Sequence, residues 1–192
     1  MEITFRDAAT VVHGMFFGAL LLLAFSGAAI GLYAISAPQG RWTPTATQHA
    51  WLARYVAGMA LLAWLTVVLG AYAVYPWYRA HPPAGLTDLS GFPQRLLMAS
   101  PSTTGWHDIG MEWKEHIAWF APISLTAAAY LVRRYGMHLH ALRSVRRALL
   151  CLIALAFVAA GVAGVFGAML NKYAPVRGGA NIVLMHGAGH DD

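Results

Sequence analysis

The chain has 192 residues, of which 58% are hydrophobic and 11% charged, with a mean hydropathy of +0.53. Soluble domains are nearer half apolar and about a quarter charged. The composition therefore argues against a disordered chain, a nucleic-acid-binding arm or a soluble enzyme, and for an integral membrane protein. The formal charge of +5 then carries topology information rather than marking an anionic-ligand site.

A bilayer core needs roughly 20 apolar residues per helix, and four stretches meet that demand. The first runs over about residues 8–36. It is longer than the apolar region of a signal peptide, and Glu2 and Asp7 accompany Arg6 on its flank, so it is expected to be retained as a helix. The second spans about 55–77 and ends at Pro76. The third span covers about 112–133, apolar from about His116 to Val132, with an amphipathic lead-in from Trp106 and a proline, Pro122, inside it. That proline removes a backbone donor and predicts a kink just past His116. The fourth spans about 145–170. The segment 175–192 is glycine-rich, too short to span, and reads as a surface tail. The expected fold is an all-α, integral membrane four-helix bundle with a long connection between the second and third helices.

Orientation follows the basic residues. Arg133, Arg134, Arg143, Arg146 and Arg147 fill the third connection, and Arg41 and Arg54 the first. The second connection is mixed, with Arg79, Arg95 and Lys114 against Asp88, Asp108, Glu112 and Glu115. The positive-inside rule puts connections one and three in the cytoplasm. Both termini and the 78–115 connection then face the other side, called here the P side. A bacterial inner membrane is the expected location. Asp108, Glu112, Lys114 and Glu115 read as the solvated first turns of the third helix, where acids suit the N-terminal dipole. Cys151 has no intrachain partner and lies in an apolar run, so it reads as a small buried hydrophobe.

The nine histidines carry the functional signal. Ionisable groups at membrane depth are costly and point to function. His13 lies inside the first span and His116 at the start of the apolar part of the third. The two spans run in the same direction, so both histidines fall near the P-side margin at similar depth. Neutral imidazole is a usual axial ligand of haem iron, and bundle cores hold such cofactors. Gly14, Gly18, Gly161, Gly164 and Gly167 would admit a flat macrocycle; they equally suit close helix packing without one. His49, His138 and His140 lie beside arginines and read as solvated or lipid-facing. His81 and His107 fall in the P-side connection, and His186 and His190 in the tail.

The architecture resembles the small membrane anchors of respiratory oxidoreductases, in which a four-helix bundle holds b-type haem between histidines. The resemblance rests on helix count and on His13 and His116. The paired histidines that two-haem cytochromes b carry within single helices are missing. It implies an electron-transfer subunit of a respiratory or photosynthetic complex. Such a subunit would bind haem b through His13 and His116 and exchange electrons with quinone or a periplasmic partner such as a c-type cytochrome. Its own role would be electron transfer, not catalysis. Quinone contact is expected around Tyr75, Trp77 and Trp113. Two other readings stand beside it: a cofactor-free accessory subunit of a larger membrane complex, and ligation of a pigment's magnesium. No nucleotide-binding or hydrolase motif is present, and no carboxylate lies within the apolar runs.

Overall fold

The structure, a computed structural model, describes residues 2–36, 45–175 and 181–183. A short strand, β1 (Glu2–Thr4), pairs antiparallel with β2 (Asn181–Val183); the other regular elements among the described residues are helical. Thr4 starts α1 (Phe5–Val11) with a reciprocal cap. Its hydroxyl accepts the Asp7 N–H at 3.0 Å, and its own N–H donates to the Asp7 carboxylate at 3.2 Å. The helix continues through a π-helical stretch, π1 (Val12–Gly18), into α2 (Ala19–Ser36). Thr45 and Gln48 form the same box at the start of α3 (Ala46–Leu69). α3 runs on through π2 (Gly70–Val74) into α4 (Tyr75–Tyr78). Pro76 has no N–H for the carbonyl one turn behind it, and the widened π turn lies immediately upstream.

The connection that follows is ordered by turn chemistry. Gly85 takes a left-handed φ of 82°, open to glycine without steric cost. The exposed Asp88 carboxylate accepts the Ser90 N–H at 2.9 Å, which holds its carboxyl below the ordinary range. Prolines occupy the first positions of α5 (Pro93–Met98) and α6 (Pro101–Gly105), where a missing donor costs nothing. Two π stretches, π3 (Trp106–Met111) and π4 (Trp113–Ile117), lead to α7 (Phe120–Tyr135). A 3-10 turn over Gly136–His138 precedes α8 (Arg143–Tyr173).

Among the described residues, three helical paths are long and apolar enough to cross a membrane: Phe5–Ala34, Ala46–Tyr78 and Arg143–Tyr173. The expected span at 112–133 is not one continuous helix. The Ala118 carbonyl loses its α-helical donor to Pro122 and accepts the Ala121 N–H at 3.1 Å instead, and the path turns at 118–119. The helix beyond that turn has 16 residues, about 24 Å at ~1.5 Å per residue, short of the ~30 Å hydrocarbon core.

α3 packs on α7, α7 on α8, and α2 on both α3 and α8. Their buried residues recur every three or four positions: Leu21, Phe25, Ala28 and Leu32; Val56, Met59 and Ala63; Ala121, Leu125, Ala128 and Val132; Leu149, Ile153, Ala156 and Ala159. Small residues fill much of this core, which lets the backbones approach. The outward faces are also apolar, with Met15, Leu23, Ile30, Leu61 and Val165 exposed. Helices apolar on all sides suit a lipid surround. Cys151 is exposed rather than buried, because it lies on the outward face between Leu149 and Ile153. A second apolar cluster, of Tyr78, Leu97, Met111, Leu170 and Ala174, seats the 79–119 segment on the helix ends.

Candidate functional site

His13 lies in π1, and its half-buried ring packs on the end of α3. Its Nδ1 lies 2.8 Å from the Thr66 carbonyl oxygen. A carbonyl only accepts, so Nδ1 carries the proton and Nε2 keeps a free lone pair. Gly70 makes room for the ring: a Cβ there would stand 2.5 Å from His13 Cε1. The Thr66 carbonyl also accepts the Gly70 N–H, so one oxygen serves both the helix and the histidine.

His116 lies in π4 on an exposed face. Its Nδ1 is 3.1 Å from the Glu112 carbonyl oxygen and 3.3 Å from the Glu112 carboxylate. Nδ1 again carries the proton, and Nε2 is open. Among the described residues, no hydrogen bond or ion pair joins His13 to His116: the first faces α3, the second lies outside beside Glu112. Each ring thus has the nitrogen assignment of a metal-ligating imidazole, with Nδ1–H on an oxygen and Nε2 available. The two rings share this nitrogen assignment but lie on different faces, so the structure does not bring them to one site. Among the described residues, no group of three or more His, Cys, Asp or Glu side chains is arranged to hold a metal ion.

His49 is not solvated. At the other end of the molecule its half-buried ring packs on Gly136, and Nε2 is 2.9 Å from the Val132 carbonyl oxygen. Here too the carbonyl accepts the N–H of the glycine four residues later. The arrangement copies that of His13, Thr66 and Gly70, except that the ring nitrogen bound is Nε2. His138 and His140 are exposed as expected; His186 and His190 lie outside the described residues.

The acidic and basic residues before the third helix divide between two faces. Asp108 and Glu112 are exposed. Lys114, expected in water, reaches inward to α8. Its Nζ is 3.4 Å from the Ala163 carbonyl oxygen, and a Cβ on Gly167 would stand 3.2 Å from that nitrogen. Trp113 donates its indole N–H to the Ala159 carbonyl at 3.2 Å, one turn along α8. The Tyr75 ring stacks on Tyr78 at 6.3 Å. Tyr78 Oη lies 2.8 Å from His107 Nδ1, and the Gln94 amide lies 3.3 Å from His107 Nε2. Trp77 meets Phe5 edge-on and lies under the Arg6 guanidinium. The margin expected at Tyr75, Trp77 and Trp113 is therefore a packed mixture of aromatic and polar groups. His107 and Lys114 carried no spacing signal that marked them out. No family model, curated protein or solved structure matches the chain.

Proposed function

We propose that the protein is an electron-transfer subunit of a membrane redox complex, built as a four-helix transmembrane bundle and binding one b-type haem through His13 and His116. One observation carries this reading: both rings commit Nδ1 to an oxygen acceptor and leave Nε2 open. The haem supplies one-electron redox chemistry between ferric and ferrous iron. His13 and His116 would hold it, and the apolar surround would tune its potential. The Thr66 carbonyl orients His13, and the Glu112 backbone and carboxylate orient His116. The polar and aromatic groups of the 79–119 segment would face quinone or a P-side partner such as a c-type cytochrome. The setting proposed is a bacterial inner membrane, with both termini on the P side.

A second reading has its own support. His49 repeats the contacts of His13 with Nε2 committed, so a histidine on a helix-end glycine also serves as a packing device. On that reading the protein is a cofactor-free accessory subunit of a membrane complex.

A dithionite-reduced minus oxidised spectrum of the purified protein, with a pyridine haemochrome assay, separates the two. Wild type, His13→Ala and His116→Ala are compared, with His49→Ala as a control for folding. A b-type signal in wild type and His49→Ala, lost in the other two, supports the haem reading. A colourless wild type, isolated with haem supplied and its complex intact, overturns it in favour of the accessory role.

A further inference from the structure

The end of the molecule farthest from His116 along α7 carries positive charge that haem binding leaves unused. Four helix ends meet there. The His49 ring near the start of α3 packs on Gly136 and bonds the Val132 carbonyl at the end of α7. Leu52 lies against Gly31 near the end of α2, where a Cβ would stand 3.0 Å from Leu52 Cδ1. α8 begins beside the turn that follows α7, and Arg146 Nη1 donates to the His140 carbonyl at 3.3 Å. Arg54, Arg133, Arg134, Arg143 and Arg147 are exposed around this end. The chain has no Asp or Glu between Asp7 and Asp88 or between Glu115 and Asp191, so α2, α3, α7 and α8 hold no carboxylate to neutralise them. Arg143 and Arg147 also stand at the N-terminus of α8, where the helix dipole repels cations, and Leu142 before them lends no side-chain cap. Like charges gathered in this way repel one another and are relieved by an anion.

Aromatic rings indicate which anion. Tyr33 on α2, Trp51 on α3 and Tyr130 on α7 are 81%, 63% and 63% exposed. The Leu52–Gly31 and His49–Val132 contacts put the three rings within about one helical turn of the same depth, just inside the arginines. Arg54 folds back toward the start of α3: its Nε donates to the Ala50 carbonyl at 3.2 Å, and its guanidinium lies 4.5 Å over the Trp51 ring. Exposed Trp and Tyr at one depth on apolar helices mark the headgroup level of a bilayer. We propose that this end binds anionic phospholipid, with Arg54, Arg134, Arg143 and Arg147 pairing with the headgroup phosphates of lipids such as phosphatidylglycerol. Arg143 and Arg147 lie one turn apart and share a side of α8. Leu150, exposed farther along the helix, meets the acyl chains. Each arginine near an anionic lipid surface is worth about fivefold in affinity.

The test is quenching of tryptophan fluorescence in nanodiscs that mix phosphatidylcholine with brominated phosphatidylglycerol, with brominated phosphatidylcholine as the reference. Wild type is compared with Arg143→Gln/Arg147→Gln, Arg143→Lys/Arg147→Lys, Arg95→Gln and Trp51→Phe. Wild type is expected to prefer phosphatidylglycerol by about tenfold or more, and the Gln pair to lose at least fivefold of that preference. The Lys pair and Arg95→Gln keep it, and Trp51→Phe loses the part of the quenching specific to phosphatidylglycerol. Arg134→Gln carries the test should the Gln pair not fold. Equal quenching by the two lipids in wild type overturns the proposal, as does a preference that the Gln pair retains. A preference lost equally in Arg95→Gln reports overall charge and overturns it as well. Displacement of the lipid by millimolar inorganic phosphate assigns the anion to free phosphate and overturns the lipid site. None of these outcomes depends on haem.

Discussion

Replacing Gly70 by alanine tests the contact on which the His13 geometry depends. The added methyl would stand 2.5 Å from His13 Cε1 and 3.1 Å from both ring nitrogens. Carbon atoms settle at about 3.5–4.0 Å, so the ring must retreat by roughly 1 Å. The Nδ1 contact to Thr66, now 2.8 Å, then lengthens past hydrogen-bonding range. Overpacking costs about 1–3 kcal/mol, and the lost hydrogen bond about 0.5–1.5 kcal/mol. Alanine returns about 1 kcal/mol of helix propensity. The expected net loss is about 1–3 kcal/mol. His13→Ala removes the obstacle, so Gly70→Ala becomes neutral or stabilising in that background. The assay is a double-mutant cycle on reversible unfolding in mixed micelles, with the coupling energy as the readout. A Gly70→Ala cost that is the same with and without His13 refutes the reasoning, because the methyl would then be clashing with something other than the ring.

Gly136→Ala is expected to act in the same way at the other end. Its Cβ falls on the His49 ring, so the variant loses stability by a similar amount and His49→Ala relieves it; an unrelieved loss in the same cycle counts against the contact. His13→Asn places an amide N–H near the position of Nδ1 while removing Nε2. It should therefore unfold within about 1 kcal/mol of wild type yet lose any haem signal; a variant that retains the b-type spectrum shows that Nε2 of His13 is no ligand.

The apolar helical paths were legible because hydropathy is a local property of composition, and a run long enough to span needs no partner to be recognised. The break before α7 was legible for the same reason: Pro122 lacks its donor whatever surrounds it. Faces were harder to read. Cys151 lies in an apolar run, but on a helix apolar on both sides the sequence gives depth without direction. Glu112 and Lys114 are two residues apart, so any helix turns them to nearly opposite faces; which of the two faces packs on α8 is set by tertiary contacts that leave no mark in composition. His49 reads as solvated because it follows polar residues and lies near arginines, while its partners, Val132 and Gly136, are more than 80 residues away. Only packing of α3 against α7 brings them together.

The choice of ring nitrogen is where structural and functional roles part. A histidine that serves only to tie two helices needs a donor in the right place, and either nitrogen meets that need. At His49 it is Nε2, and the remaining nitrogen, Nδ1, is next to its own backbone, where a bulky ligand has poor access. At His13 the tie uses Nδ1, and the open nitrogen is the one farthest from the main chain. His116 makes the same choice with a different acceptor, its own Glu112 one turn back. A ring fixed through Nδ1 loses little freedom on binding a metal at Nε2, because its orientation is already set. The packing contact at Gly70 would leave Nε2 free for the ligation proposed for His13. The contact that explains why the helices pack is also the one that would aim the imidazole.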